Sequence, residues 1–470
     1  MKSIKPANSL IYIGFAVLCL SELFTSCTSG TETTENDSEN RPNIIYILAD
    51  DLGYADLGCY GQKYISTPNL DRMASEGMKF TQHYSGSTVC APSRSCLLTG
   101  LHTGRTYIRG NNEVYPEGQV PIDAEAYTIA ELMKDAGYVT AAFGKWGLGM
   151  NETEGSPVRQ GFDYFLGFLC QRYAHRYYHQ YIWENEDTLF MEGNDFTKKT
   201  TYVPDFLHQK TMDFIKENKD TSFFLFIPSV IPHAELIAPD DSLLEKYKGK
   251  FEETPWGIVS DNPYRGNDYG ADNFIIEGYA PVKEPRTTIA AMISRLDLQV
   301  GEILTLLREL GIDDNTIVMF TSDNGPHTEG GADPEFFGSN GPFTGTKRDL
   351  YEGGIRVPMI AWWPGKIEAG ETSDFISGFW DVMPTFADIA GKELEVPTDG
   401  ISLLPVLQGK EKVEKHDVMY WEFYERGGRI ALRKDDWKLV CYNNFVPAFI
   451  YKFQKLQLFF RICRFRSPFL

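Results

Sequence analysis

Residues 43–51 are Asn43-Ile44-Ile45-Tyr46-Ile47-Leu48-Ala49-Asp50-Asp51, an uncharged β-rich run that ends on two adjacent carboxylates. Three further runs share this character and lie at residues 139–143, 223–227 and 316–321. A short run without charges is typical of a strand that is buried on both faces of a parallel sheet. The four runs therefore predict a mainly parallel central sheet.

Helical patterns separate these runs. Residues 67–76 and 287–310 carry apolar side chains at helical spacing. The chain has 470 residues and 42% hydrophobic content, which is enough for one large core and a smaller second domain. We expect an α/β fold whose central sheet is sandwiched by helices, followed by a smaller second domain.

The first residues have the pattern of an export signal. Lys2 and Lys5 precede an apolar run at residues 10–20, which is too short for a membrane span and fits a signal peptide. The residues before Cys27 resemble a bacterial lipoprotein cleavage box, which predicts a lipid anchor on Cys27. An ordinary signal peptide with an incidental cysteine is the alternative. We expect an exported protein, in the periplasm or on the outer membrane as a lipoprotein.

Composition changes abruptly near the C-terminus. After Asp436 there is no Asp or Glu, although the chain contains 65 of them. We interpret this end as truncated or frame-shifted; a basic, membrane-facing tail is the alternative. The predicted segments are a signal peptide (1–27), a disordered tether (28–41), a catalytic domain (42–395), the start of a C-terminal subdomain (396–442) and an atypical tail (443–470).

Net charge restricts the possible partners. The formal net charge is −20, whereas a nucleic-acid-binding protein needs a basic surface for the phosphates. We therefore expect no nucleic-acid partner. An anionic substrate remains compatible with this charge, because a local cationic pocket can lie on an acidic protein.

Reactive side chains follow all four predicted strands. The carboxyl ends of parallel strands meet in one crevice of the sheet, where α/β proteins bind their ligands. We therefore expect one site to contain Asp50, Asp51, Lys145, His233, Asp323 and Asn324.

Four of these residues offer only oxygen ligands. Asp50, Asp51, Asp323 and Asn324 form an anionic set that suits a hard cation better than zinc, which usually recruits His or Cys. Calcium tolerates such mixed oxygen ligands, and magnesium is the second choice. A turn or a helix cap is the alternative for the Asp50-Asp51 pair, but adjacent carboxylates repel unless a cation neutralises them.

The segment Cys90-Ala91-Pro92-Ser93-Arg94-Ser95-Cys96-Leu97-Leu98-Thr99-Gly100 predicts a helix that begins near Cys90. Pro92 favours the first helical turn, and Leu97 and Leu98 supply a buried side. Free N–H groups and the helix dipole would then attract an anion near Cys90, with Arg94 one turn later. The spacing alone leaves Cys90 as either a nucleophile or a small buried residue.

This segment, from Cys90-x-Pro92-Ser93-Arg94 to Gly100, resembles the signature of the formylglycine-dependent sulfatases in the alkaline phosphatase superfamily. Four other segments resemble further motifs of this family in the family's order: residues 42–53, 144–149, 321–325 and 345–358. The resemblance runs from residue 42 to about residue 391. It implies an alkaline phosphatase-like α/β fold and a sulfuric ester hydrolase. It also implies a smaller C-terminal α+β subdomain, a small antiparallel sheet with a helix, which this sequence begins at residues 418–440 and which we expect to be truncated.

The resemblance implies that a maturation enzyme oxidises Cys90 to formylglycine, which also joins the metal ligands. One hydroxyl of the hydrated aldehyde attacks sulfur, helped by the metal and by Asp323 as proton acceptor. Lys347 or His233 then supplies a proton or stabilising charge to the leaving alcohol, and loss of the second hydroxyl's proton expels sulfate. Two further cations hold the aldehyde and sulfate oxygens, Arg94 and Lys145.

The sequence departs from the family at two positions. Many members have His where this chain has Gly147, and that His is thought to assist sulfate elimination. Its absence leaves the identity of that base open, with His175 as a candidate. The proline often found two residues after His233 is replaced by Glu235.

Residues 164–183 are dense in aromatic and cationic side chains. Flat rings pack against sugar faces, while His and Arg bind hydroxyls or sulfates; an aromatic core or loop is the alternative. Together with export, this composition suggests a sulfated saccharide as substrate. The candidate substrate-binding residues are His175, Tyr177 and Arg348.

Two other functions remain open from the sequence. A phosphatase or phosphonate hydrolase of the same superfamily is one, although two-zinc phosphatases need extra His and Asp ligands and this chain has only 8 His. A non-catalytic glycan-binding lipoprotein, or a product disabled by its altered C-terminus, is the other.

Overall fold

The computed structural model describes residues 41–114, 117–195, 198–257, 279–442 and 449–452. The predicted signal peptide, tether and most of the predicted tail lie outside these residues, and the predicted segment boundaries stay predictions. Within the described residues, two sheets are present, a large mixed sheet and a small antiparallel one. No helix in these ranges is both long enough and apolar enough to cross a membrane.

The large sheet contains eleven described strands, which run in the spatial order β10-β2-β9-β8-β1-β7-β3-β4-β5-β6 with β11 beside β2. They are β1 (Asn43–Ala49), β2 (Met78–Tyr84), β3 (Val139–Lys145), β4 (Tyr164–Phe168), β5 (Tyr181–Glu184), β6 (Asp187–Phe190), β7 (Phe223–Pro228), β8 (Thr316–Ser322), β9 (Arg356–Trp362), β10 (Glu371–Ser373) and β11 (Ser377–Gly378).

The four predicted runs form the middle of this sheet. They are β8, β1, β7 and β3, adjacent in that order and all parallel. Ile45 and Ile47 of β1 pack into one core and Ile44 and Tyr46 into another, so alternate residues are buried on opposite faces. This double burial explains the uncharged runs and confirms the predicted mainly parallel sheet.

Helices cover both faces of the sheet. The described helices are α1 (Pro68–Glu76), α2 (Cys90–Thr99), α3 (Ile129–Asp135), α4 (Gln171–Ala174), α5 (Val203–Glu217), α6 (Ser242–Glu245), α7 (Pro285–Leu310), α8 (Pro334–Phe337), α9 (Glu352–Ile355), α10 (Val382–Ala390) and α11 (Leu404–Leu407). Apolar residues of α1, α5 and α7 pack into the core on the Ile45 face, and those of α2, α3 and α10 into the core on the Ile44 face. This arrangement is the predicted α/β sandwich.

The small sheet follows as an antiparallel meander, which confirms the predicted smaller C-terminal subdomain. Its strands are β12 (Met419–Phe423), β13 (Arg429–Lys434), β14 (Trp437–Tyr442) and β15 (Phe449–Lys452). The strand β15 comes from the segment that the sequence predicts as an atypical tail, and it pairs with β14 along Trp437–Val440.

Buried charges join the small sheet to the large one. Lys438 of β14 is 0% exposed, and its Nζ donates to Glu352 Oε1 of α9 at 2.7 Å. Tyr84 of β2 donates to the other carboxylate oxygen, Oε2, at 2.6 Å, and Arg356 donates to it at 3.2 Å. Burial raises the pKa of Glu352, but the Lys438 and Arg356 cations outweigh it and hold that pKa below its ordinary value.

We expect Lys438→Met to lower the free energy of unfolding by about 3–5 kcal/mol, because it leaves the Glu352 carboxylate buried without its nearest cation. Lys434→Met, at an exposed position of the same sheet, serves as the control and should change it by less than about 0.5 kcal/mol. Urea unfolding measures both. Adding Glu352→Gln to Lys438→Met should recover part of the loss; a double variant less stable than the single would contradict this account.

Candidate active site

The acidic residues lie at the carboxyl ends of two adjacent strands. Ala49 pairs with Ser322, so β1 and β8 end side by side, and Asp323 N–H donates to the Ala49 carbonyl at 3.0 Å. Asp51 follows β1 in the left-handed region with φ 65°, and its N–H donates to Asp323 Oδ1 at 3.1 Å. Asp50, Asp51 and Asp323 are buried, which places three carboxylates in one small volume.

Each carboxylate has a cation from a different part of the chain. Lys145, the last residue of β3, donates from Nζ to Asp50 Oδ2 at 2.7 Å. Arg94 of α2 donates to Asp323 Oδ2 from Nε at 3.1 Å and from Nη2 at 2.8 Å. The third cation comes from the loop before α9: Lys347 Nζ donates to Asp51 Oδ2 at 2.7 Å.

These ion pairs determine the protonation states of the cations. Burial lowers the pKa of Lys145, but the surrounding negative groups, with Asp50 the largest contributor, together outweigh burial and raise that pKa above its ordinary value. The same balance, with Asp51 as the partner, raises the pKa of Lys347. Both lysines are therefore charged at neutral pH despite their burial.

Cys90 lies inside this cluster. It is the first residue of α2 and 1% exposed, with Sγ 3.4 Å from Lys145 Nζ and 3.5 Å from Asp50 Oδ1. The next N–H of the helix, that of Ala91, donates to Asn111 Oδ1 at 2.9 Å. Burial raises the pKa of the Cys90 thiol, so the unmodified residue is a neutral thiol at pH 7.

The cluster offers the ligand atoms that a divalent cation needs. Asp50, Asp51, Cys90 and His233 each offer one ligand atom, and these atoms lie within 4.8 Å of one another. Asn324 donates from Nδ2 to Asp51 Oδ1 at 2.6 Å, while its Oδ1 is buried without a hydrogen-bond partner in the described residues. An unpaired buried acceptor beside two carboxylates fits a hard cation, for which the Oδ1 atom would be a ligand.

His175, His233 and His327 line the side of the site next to Lys347 and form what we call the histidine wall. His233 Nε2 lies 2.8 Å from Lys347 Nζ and 3.2 Å from Asp51 Oδ2, and its ring stacks on His175 at 3.9 Å between centroids. His327 stacks on the same ring at 5.4 Å. Burial, with the neighbouring His175 and Lys347, lowers the pKa of His233 well below its ordinary value, so the ring is neutral at pH 7.

The predicted substrate residues fall into different environments. His175 lines the histidine wall, and Arg348, with φ 74°, pairs with Glu329 beside Lys347. Tyr177 is 0% exposed, and its hydroxyl oxygen lies at hydrogen-bond distance from the carbonyls of Val230 and His233, at 2.7 and 2.6 Å. This hydroxyl supports the His233 loop, and a role of Tyr177 in substrate binding stays a prediction.

Three residues near the site were not predicted from the sequence: Asn111, His327 and Gln171. His327 follows Asn324 by three residues, and this short distance from a predicted site residue could have identified it from the sequence. Asn111 reaches Ala91 from a loop, and Gln171, on a four-residue helix, lies beside Gly147. No pattern in the sequence marks either residue.

Comparisons with known proteins identify the family. The family model described as Sulfatase matches residues 42–392, most of the chain. This chain belongs to the sulfatase family. A second model, described as N-sulphoglucosamine sulphohydrolase, C-terminal, matches residues 340–455. The membership confirms the predicted resemblance and identifies the chain as a sulfuric ester hydrolase.

Several curated proteins and solved structures resemble this sulfatase. N-acetylgalactosamine-6-sulfatase of Canis lupus familiaris is 31% identical and covers 82% of this chain and 69% of its own length. Steryl-sulfatase of Homo sapiens is 30% identical, covering 82% of this chain and 73% of its own length. The structure of Ps i-CgsB in complex with k-i-k-neocarrahexaose has a TM-score of 0.70 and 28% identity, and covers 87% of this chain and 86% of its own.

Related hydrolases share the fold. The phosphonate monoester hydrolase of Agrobacterium radiobacter has a TM-score of 0.59 at 20% identity, covering 88% of this chain and 89% of its own. The fold alone therefore does not distinguish sulfate from phosphonate esters, and the identification rests on the sequence match.

Divalent cation should stabilise this protein through the carboxylate cluster. A cation that binds only the folded state adds about 2.7 kcal/mol at 100 times its Kd, so Ca²⁺ should raise the thermal midpoint and a chelator should reverse the effect. Asn324→Ala should reduce this shift, because it removes the unpaired Oδ1. Asp388→Asn, at an exposed carboxylate on α10, is the control and should keep the full shift. Equal shifts in both variants would place the cation elsewhere.

Proposed function

We propose that this sulfatase is exported and removes sulfate from a sulfated carbohydrate, using formylglycine formed from Cys90 and a bound Ca²⁺. The observation that carries the proposal is the position of Cys90 at the buried start of α2, between Lys145 and Asp50. At 1% exposure, Cys90 is out of reach of another protein. The maturation enzyme would therefore act before the chain folds.

Calcium is the proposed cation because the strand ends offer mainly oxygen atoms. Asp50, Asp51 and Asn324 contribute carboxylate and amide oxygens, and Ca²⁺ accepts such a mixed set in irregular geometry. Magnesium requires a nearly ideal octahedron and is the alternative ion. The match to the Sulfatase family model supports a metal in general and leaves the choice of ion to these ligands.

When present, the two groups would supply a hydroxyl nucleophile at position 90 and a Lewis acid for the sulfate oxygens. The protein's own charges surround that position. Lys145 Nζ is 3.4 Å from the Cys90 Sγ, and Arg94 Nη2 lies between two carboxylates, 2.8 Å from Asp323 Oδ2 and 3.7 Å from Asp50 Oδ1. Fixed cations in a dry site stabilise negative charge that spreads over sulfate oxygens in the transition state.

The acid and base roles combine the family resemblance with the contacts. The resemblance gives Asp323 the role of proton acceptor, although Asp51 N–H and Arg94 already donate to its two carboxylate oxygens. Asp50 Oδ1, at 3.5 Å from Cys90 Sγ, is a second proton acceptor. For the departing alcohol, Lys347 holds a proton at Nζ, 2.8 Å from the neutral His233 Nε2. As the S–O bond breaks, Lys347 can donate this proton to the alcohol oxygen, with His233 fixing the direction of the ammonium group.

The proposed substrate class is supported by the names of similar proteins and by the side chains next to Lys347. N-acetylgalactosamine-6-sulfatase is named for a sulfated sugar, and Ps i-CgsB was solved with a neocarrahexaose. In this chain, His175 and Arg348 line the side of the site next to Lys347 and offer polar groups for saccharide hydroxyls or sulfates. Steryl-sulfatase is also similar, so a steryl or aryl sulfate is the alternative ester.

Export, cleavage before Cys27 and a lipid anchor on Cys27 complete the proposal. Their support is the basic and apolar pattern of the first 27 residues and the polar stretch that follows. An enzyme held at the bacterial surface or in the periplasm meets extracellular polysaccharides, in agreement with a saccharide substrate.

Sulfate release tests this function directly. The chain is co-expressed with a formylglycine-generating enzyme and incubated with sulfated saccharides, an aryl sulfate, a steryl sulfate and matched phosphate and phosphonate esters. We expect sulfate release from one or more saccharides, and loss of release in Cys90→Ser by at least about 10³-fold, because the nucleophile is removed.

The outcomes separate the alternatives. Faster turnover of the phosphate or phosphonate esters would favour the related hydrolase activity, especially with zinc bound. A folded protein with formylglycine confirmed by mass spectrometry, yet without release from any saccharide, would contradict the carbohydrate proposal.

A further inference from the structure

The side chain of Gln171 occupies the space next to position 147 in the loop after β3. Gly147 has φ 79°, and a Cβ built there would lie 2.8 Å from Gln171 Nε2 and 2.9 Å from Gln171 Cγ. The side chain of Gln171 therefore fills the space next to Gly147, two residues beyond Lys145. In this chain the Gln171 side chain therefore borders the position at which the family resemblance leads us to expect a histidine.

Gln171 is buried, and its amide nitrogen donates no hydrogen bond to the described residues. The residue is 4% exposed, and its Nε2 has no hydrogen-bond partner within the described part of the chain. Buried polar groups are nearly always paired, because an unpaired one has lost its hydrogen bonds to water without replacement. An amide N–H kept in this state indicates a ligand that supplies the missing acceptor.

A second unpaired nitrogen lies on the same turn. Gln171 is the first residue of α4 and His175 is the C-cap residue that follows it, so the two are four residues apart and lie on one side of the helical turn. His175 Nε2 is also buried, and none of the described residues bonds to it. The His175 ring stacks on His233 at 3.9 Å, which places this side of α4 against the centre that contains Lys347.

We infer that Gln171 Nε2 donates a hydrogen bond to an oxygen of the bound sulfate group, with His175 Nε2 as a second contact from the same turn. The inference rests on the proposed function only for the position of the reaction centre. An amide binds an anionic oxygen without changing its own charge and does not transfer a proton. Gln171 is thus a binding residue, and its neutral amide replaces a titratable side chain at position 147.

The test measures binding of inorganic sulfate by calorimetry in full-length protein that carries Cys90→Ser and is saturated with Ca²⁺. No turnover and no formylglycine are needed. We expect Gln171→Leu to weaken sulfate binding by about tenfold or more, because a hydrogen bond to a charged oxygen is lost. The thermal midpoint without sulfate should stay the same or rise, because leucine removes the unpaired donor while keeping the volume.

A matched control is Gln160→Leu. Gln160 is also buried, but its Nε2 donates to the Glu154 carbonyl at 2.8 Å, so this change should lower the midpoint and leave sulfate affinity unchanged. Gln171→Asn keeps the amide but shortens it by one carbon, and serves if the leucine variant does not fold. It should also weaken sulfate binding.

Unchanged sulfate affinity in the Gln171 variants would overturn the inference. So would a lower midpoint with unchanged affinity, since that result would give Gln171 a purely structural role. Failure of the proposed function is a separate outcome: it appears as absence of sulfate release by the converted parent protein, whereas the affinity ratio between Cys90→Ser variants does not depend on which ester is cleaved.

Discussion

Three carboxylates buried at the ends of two adjacent strands are the constraint on which the rest of the structure depends. Asp50, Asp51 and Asp323 would repel one another strongly in a medium of low dielectric. Each is therefore paired with a buried cation, and each cation comes from a different element: Arg94, Lys145 and Lys347. The charges thus fix α2, β3 and the loop before α9 around one point. With these pairs alone the six charges cancel, so any excess positive charge for an anionic substrate must come with a bound cation.

The same constraint explains why the small sheet matters for the site. Lys347 must hold its position in a loop, and the chain just beyond it is tied to the small sheet at two places. Arg429 donates to Asp349 Oδ1 at 2.9 Å, and Lys438 donates to Glu352 Oε1 at 2.7 Å. The C-terminal strands therefore support the segment of chain that follows Lys347.

The central sheet and the charged cluster were predictable because both produce a recognisable pattern along the amino-acid sequence. Double burial produces uncharged runs such as residues 316–321, and the polar residue after such a run falls at the carboxyl edge. The strand β9 escaped prediction because Pro358 interrupts its pattern. The structure tolerates this proline where the pairing of β9 with β2 shifts register, between the partners of Phe80 and His83. Gln171, Asn111 and the position of Tyr177 depend on contacts between distant segments, which no spacing in the sequence records.

The balance of charge also bears on the choice between sulfate and phosphate esters, which the fold leaves open. A phosphate monoester carries about 1.5–2 negative charges at pH 7, whereas a sulfate monoester carries a single charge. Around Cys90, the buried lysines and arginine are already matched by carboxylates, and the wall formed by His233 and His175 is neutral because burial lowers the pKa of both rings. One divalent cation would then leave an excess of two positive charges, which exceeds the single charge of a sulfate ester and about equals the charge of a phosphate monoester. The charge balance alone therefore accommodates both esters, and neutral donors such as the Gln171 amide would orient a sulfate group without adding further charge.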